Sequence, residues 1–592
     1  WKGKMLVDST GNINLDDPNE PFNKVDRSAV GVTINAGTTL SGTQANQVAL
    51  ADIFSFTPSG IEYREMLNGG IINLTGTNAV GIYTASGKIT NNGTVSSTGT
   101  NGIGLFGENG TVISNGTSGI VNVGNMGIGL YGISNQNSAT PQGNGNGSVN
   151  ITNSGTVNAN SGTNAVGMYG VTDAGTIGNL LNDTTGIINI GQSSQGIYFR
   201  DNGANSNSII NNGQILSSSL DTVGIFLDNS TGTDVTNNGT ISLTADKSRG
   251  IYVTNVGTTN IANSSTGNIT VGDSSDINDP SIGIYSQNGG DTISNSGNIT
   301  AGVNSLGIYA KEAAVNHTGG IIKVGDNGTG IYGDHSNITI SSPASIELGS
   351  NGTAGAYGIN GSVITNGSAL NVGNANFGFI IQSGSSLINN GAMTLGESSV
   401  FAYSNGGASI TNNAGGTILM NGSNNIGVYM DNGGTITNNG AIDGTAGVSN
   451  IGIVNVGGSI INTASINVGD SAVVRDSQGN PIVNSSSYAV GIYGDGANVS
   501  SARNTTIGKD SVGLKKKNAP TVVTNSGSID SSASGAIGLF VENSTINNTG
   551  NITLNGNSSM GIAAVNHGNV INTGTITMNG DYSKGVYLRV GS

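Results

Sequence analysis

The stretch SIGIYSQNGGDTISNSGNITAGVNSLGIY, Ser281 to Tyr309, opens and closes on the same phrase, an apolar residue followed by Gly-Ile-Tyr. Between the two copies lie two shorter apolar-centred runs, around Ile293 and Ile299. Each run is too short to be a stable hairpin alone. Three short strands separated by Gly, Asn and Ser turns read as one coil of a parallel β-solenoid.

The phrase returns along the chain about every 25 residues, a spacing that marks repeat architectures. Copies include Gly81-Ile82-Tyr83, Gly129-Leu130-Tyr131, Gly196-Ile197-Tyr198, Gly250-Ile251-Tyr252, Gly330-Ile331-Tyr332, Gly427-Val428-Tyr429 and Gly585-Val586-Tyr587. A second element keeps the same period: Ile/Val-x-Asn-x-Gly-x-Ile/Val. It appears as Ile89 to Val95, Val235 to Ile241, Ile436 to Ile442 and Val570 to Ile576. Apolar residues alternate there with Thr and Ser, as half-buried strands require. The Asn amides are expected to hydrogen-bond to the same Asn one coil away, forming an internal ladder.

The predicted fold is all-β: a right-handed parallel β-helix of about 21 coils, three short strands each, about 100 Å long at the usual strand spacing. A chain of 592 residues would otherwise suggest several globular domains, but a solenoid grows in one dimension. With 99 Gly and only 9% charged residues the composition is also that of disordered chains. The in-phase return of Ile and Val over most of the length argues against disorder.

Residues 1–70 carry the single Trp (Trp1), many of the charges and only a weak trace of the repeat, at Ala29-Val30-Gly31-Val32. They read as an irregular N-terminal cap or junction, with the repeat array at 71–592. Three spacings are long, and insertions are expected near 134–147, 274–280 and 471–487. The last two each follow a Val-Gly-Asp, at Val271-Gly272-Asp273 and Val468-Gly469-Asp470, so both should leave the coil at the same corner. Solenoid insertions often mark the binding face. The candidate binding residues are therefore Asp276, Asn278 and Asp279 in one insertion, and Arg475, Asp476, Gln478 and Asn480 in the other.

Composition excludes several function classes. Without Cys there is no disulfide framework and no thiolate metal site. A net charge of −15 argues against nucleic acid. The one basic run, Lys515-Lys516-Lys517, reads as a solvated turn. No stretch approaches the roughly 20 apolar residues of a membrane helix. With no leader at Trp1 and no barrel strands at the end, the chain reads as a portion of something longer.

Candidate chemistry is sparse, and no catalytic residue, metal site or cofactor is expected. If Ile of the phrase faces inward, the following Tyr faces out. Tyr83, Tyr252, Tyr285, Tyr309 and Tyr332 would then form either an exposed sugar-stacking stripe or a structural ladder. Asp273, Asp276, Asn278 and Asp279 are oxygen-rich but lack the spacing of a calcium loop. Gly272-Asp273-Ser274 and Gly469-Asp470-Ser471 contain a serine in a protease-like phrase. The only histidines, His317, His335 and His567, all lie in repeat turns, so no base is placed for it. The expectation is that the chain is not an enzyme, with a polysaccharide-active β-helix as the enzymatic rival.

The Gly-Ile-Tyr phrase, the Thr-Asn-x-Gly-x-Ile phrase (Thr236 to Ile241), the absence of Cys and the period resemble the passengers of large type Va autotransporters. The Asn-rich wording resembles the large fusobacterial autotransporter adhesins in particular, over about residues 71–592. The resemblance implies secretion through a C-terminal outer-membrane barrel, absent from this chain, and display at the cell surface. It also implies attachment to host-cell protein or glycan receptors and to partner bacteria. The family has no short binding motif, so the resemblance assigns no functional residue. A passive stalk carrying a distal tip is the alternative reading.

Overall fold

The computed structural model describes residues 12–16, 31–52, 56–57, 60–61, 65–85, 87–108, 110–134, 148–173, 175–229, 231–254, 257–287, 289–478, 482, 485–519 and 521–589. The described residues contain no α-helix; parallel strands stack as a β-solenoid of about 20 turns with three strands per coil. The chain forms two compact units, Trp1–Val315 and Asn316–Ser592.

One coil of the N-terminal unit shows the plan. Its strands are Ile282–Ser286, Thr292–Asn295 and Asn298–Ala301. The first belongs to the tyrosine sheet, the second to the asparagine sheet, and the last to the third sheet. Each strand pairs in parallel register with its counterpart one coil earlier, as in Ile251↔Ile284, Ile261↔Ile293 and Ile269↔Ile299. These six side chains all point inward and are no more than 1% exposed. Burying each contributes roughly 1.5–3 kcal/mol, set against the ordering entropy of a Gly-rich chain.

The glycine of the phrase has a steric cause. Ladder pairing joins Ile282 to Leu306 and Ile284 to Ile308 and skips Gly283. A Cβ on Gly283 would lie 2.5 Å from both Gly307 O and Ile299 Cγ2. The backbone packs against the next coil there, so only Gly fits. The turn before the tyrosine sheet holds one residue in the left-handed region, Asn101 (φ 57°), Asn164 (φ 56°) and Asn304 (φ 54°) among them. Asn tolerates that geometry, which explains its repeated use.

Regular stacking reaches further towards the N-terminus than residue 71. Gly31–Ile34, Thr39–Gly42 and Val48–Asp52 lie in register beneath Glu65–Asn68, Ile71–Leu74 and Val80–Thr84. One coil thus lies within the expected cap region, and a short antiparallel pair, Phe56–Thr57 with Gly60–Ile61, follows its last strand in the chain. Trp1 falls outside the described residues.

The C-terminal unit repeats the plan, with tyrosine-sheet strands from Thr329–Asp334 to Lys584–Arg589. Its third ladder breaks once, between Ser345–Leu348 and Leu370–Gly373. A packing gap lined by Ile340, Ile346, Leu370 and Phe379 lies there, without room for a water. In the final coil the inward residues are partly open, Val586 and Leu588 among them.

Candidate functional site

The inward Asn of each coil forms the expected ladder. In the N-terminal unit nine residues, Asn68, Asn91, Asn115, Asn153, Asn182, Asn211, Asn237, Asn263 and Asn295, are joined by eight bonds in which each Nδ2 donates to the next Oδ1 at 2.8–2.9 Å. All point the same way. The second amide hydrogen reaches a backbone carbonyl in several coils, such as Gly239 O at 3.2 Å from Asn237 Nδ2. The interior therefore carries polar groups that are largely satisfied, which is what a buried amide requires. In the C-terminal unit the ladder runs from Asn366 to Asn462 and again from Asn525 to Asn572.

The tyrosine column faces outward, as alternation predicts, but its ring faces are occupied. From Tyr83 to Tyr309 successive rings lie 4.7–5.2 Å apart, several parallel, as in Phe106–Tyr131 at 7° and Tyr285–Tyr309 at 9°. A sugar stacks on a ring face, and in the parallel pairs each face is covered by its neighbour. The arrangement is a structural ladder. Burial pushes the Tyr131 and Tyr285 hydroxyls up to about 12.

Lys515-Lys516-Lys517 is not a turn. It ends the strand Val512–Lys517, with Lys515 standing in the aromatic column. Its ammonium lies 5.1 Å from the Tyr493 ring and 5.7 Å from the Phe540 ring. A cation between two aromatic rings replaces the missing one. Lys516 points inward and is fully buried, and Lys517 pairs with Glu542 at 3.7 Å. Strand register overrode the preference of lysine for water.

The insertion at 274–280 is pinned to the coil beneath it. Arg249 Nη2 donates to Asp279 Oδ1 at 2.7 Å, and Lys247 Nζ lies 3.2 Å from Asp279 Oδ2. The Arg249 guanidinium also stands 5.2 Å from the Tyr252 ring centre. Asn278 donates both N and Nδ2 to Asp276 Oδ1. Asp273 Oδ1 accepts from Val303 N at 2.8 Å. The carboxylates are thus committed to ion pairs and turns. Among the described residues no group of three or more His, Cys, Asp or Glu could hold a metal. Ile277 is left 68% exposed at the tip.

The insertion at 471–487 uses the same corner of its own coil. Asp470 Oδ1 accepts from Lys509 N, as Asp273 does from Val303. Ser471 Oγ approaches Ser511 Oγ at 3.1 Å, as Ser274 does Ser305 at 2.9 Å. The hydroxyls of these serines thus pair with other hydroxyls across neighbouring coils. Arg475 Nη2 donates to Asp510 Oδ1 at 2.8 Å. Gln478 N donates to Asp476 Oδ1, and Ile482 N to Val474 O. Ser449 Oγ donates to Ser487 O and accepts from Ala472 N, closing the neck. Val448, Val474 and Ile482 are exposed, and no local pattern in the sequence sets these apolar side chains apart from the inward ones. Asn480 and residues 135–147 of the other insertion lie outside the described residues.

No family model and no curated protein matches the chain.

Proposed function

We propose that this chain is the β-solenoid passenger of a surface adhesin, and that its braced insertions meet the partner. The observation that carries the reading is the 471–487 insertion. It holds Val474 and Ile482 out to solvent while Arg475, Ser449 and Ser471 tie it to the coils. Residues already held in this way lose less entropy on binding. The partners on this reading are host-cell protein or glycan receptors and other bacteria, reached at the cell surface by a chain anchored through a barrel outside it. The reading includes no catalysis and no nucleic acid.

A passive stalk is supported by a different observation. The aromatic column of the N-terminal unit spends its ring faces on itself. Binding of the purified chain to intact host cells and partner bacteria, beside a variant lacking 471–487, decides between the two. Saturable binding lost with the deletion supports the adhesive loop. Absence of binding by a folded chain leaves the stalk.

A further inference from the structure

Several features that hold the C-terminal unit together fail at one place, between the coil of residues 490–507 and the coil of residues 512–531. The first is the Asn ladder. Asn462 Nδ2 reaches Ser501 Oγ at 3.3 Å, and Ser501 passes no side-chain hydrogen bond on to Asn525. The second is strand pairing. Asn498–Ser501 pairs with Val522–Asn525 only at Ser500↔Thr524 and Ser501↔Asn525. The junctions on either side pair over four residues.

The third feature is the core. The inward column runs Met430, Asn455, Gly494, Lys516, Val541. Gly494 supplies no side chain, and the lysine fills the space: its Cδ and Nζ each lie 3.6 Å from where a Cβ of Gly494 would stand. Lys516 Nζ is fully buried and has no hydrogen-bond partner. The charged groups around it are engaged elsewhere. Asp495 accepts from Tyr493 OH and Asn518 Nδ2, Glu542 pairs with Lys517, and Lys515 sits between its two rings. A buried amine without a partner is costly, and its cost is relieved when the boundary opens to water.

The 471–487 insertion is fastened across this region. Ser471 N donates to Lys509 O, Ser471 Oγ to Asp510 O, and Arg475 to Asp510. Residues 509–511 lead straight into the strand that bears Lys516.

We propose that the boundary between residues 490–507 and 512–531 is a built-in opening point of the C-terminal unit, and that its opening releases the 471–487 insertion. The coils from Asn366 to Asn462, by contrast, are held by an uninterrupted amide ladder. Opening here breaks fewer bonds and hydrates a stranded amine. In a repeat array a weak interface between neighbours sets where local opening starts.

Hydrogen–deuterium exchange of the full chain tests this. Amides of 498–501 and 522–525 should exchange about tenfold or more faster than those of 435–438 and 459–462. Lys516→Met removes the stranded charge, and Ser501→Asn adds the missing amide. The double variant should slow exchange at 498–525 about tenfold, and the peptide at 471–478 should slow with it. Ser501→Asn alone, with Lys516 intact, should give a smaller slowing and separates the two causes. Equal protection at the two sets of amides, or a double variant with unchanged rates at 498–525, would overturn the opening point. Slowing at 498–525 with unchanged exchange at 471–478 would overturn its hold on the insertion.

Discussion

Asn237 Nδ2 donates to Asn263 Oδ1 at 2.9 Å, with both side chains fully buried, and Asn237 Oδ1 accepts in turn from Asn211. One residue thus serves as donor and acceptor in a chain of like bonds. Asn237→Ala strands the Asn263 oxygen and leaves Asn211 Nδ2 only a long contact to Thr240 O. Each stranded group costs about 1–3 kcal/mol, so the variant should lose roughly 2–4 kcal/mol locally. Asn237→Asp should lose more at neutral pH, because it sets a carboxylate oxygen against the Asn263 oxygen. Hydrogen exchange over 211–263 measures both, since a solenoid need not unfold as one unit.

Gly283 and Gly384 separate two reasons for a glycine. Gly283→Ala meets Gly307 O and Ile299 Cγ2, which are backbone and packed core, and neither can yield cheaply. A loss of about 3 kcal/mol or more is expected, at the upper end of overpacking. Gly384 has φ +74° and nothing within 4 Å of a new Cβ. Gly384→Ala should cost only about 1–2 kcal/mol, the strain of the left-handed conformation. Thermal unfolding of the two variants side by side checks the ranking; equal losses would mean that the coil spacing gives way at Gly283.

How much of this was legible in the sequence depends on what each residue had to know about its neighbours. The coil, its three strands and the Asn ladder follow from phase alone, because Asn237 and Asn263 occupy the same place in successive repeats. Ring packing at Tyr285 and Tyr309 was open, since alternation sets the direction of a side chain but not whether its neighbours cover its face. Lys515 to Lys517 misled because their charge favours water, whereas register with Tyr493, Gly494 and Asp495 placed them in a strand. The insertions were visible as broken spacing. Their fastening to Arg249 and Asp510 was not, because those residues lie about a coil away and carry no local signature.

Asp291 is fully buried, accepting from Thr259 N at 2.8 Å and from Ser286 Oγ at 2.6 Å. Burial outweighs these two bonds and pushes its carboxyl up to about 6. An acid whose folded value lies above its unfolded value favours the protonated form in the folded state. The penalty is therefore present above about pH 6 and relieved as pH falls through 6 towards 4. Asp291→Asn keeps an acceptor for Thr259 and carries no charge. It should stabilise the N-terminal unit at pH 7 by up to about 3 kcal/mol and abolish this pH dependence. A stability profile from pH 4 to 8 that is the same in both proteins would contradict the assignment.

Lys516 has the opposite sign of dependence and a window of its own. Desolvation lowers its amine to about 8, and Asp495 offsets this only in part. A base whose folded value is depressed favours the neutral form in the folded state. The penalty is fully present below about pH 8, fades as pH rises through 8 towards the ordinary lysine value near 10.4, and is absent above it. The wild-type chain should therefore gain stability in the C-terminal unit between pH 8 and 10, where most proteins lose it. Lys516→Met, which keeps the length of the side chain over Gly494, should be more stable at pH 7 by up to about 3 kcal/mol and show a smaller rise across that range, since burial also lowers the Lys515 amine. Lys515→Met supplies the control, because its ammonium already has two ring faces and its loss should destabilise by about 1 kcal/mol. If Lys516→Met is neutral or destabilising at pH 7, the amine has found water or a partner, and the core at Gly494 is not dry.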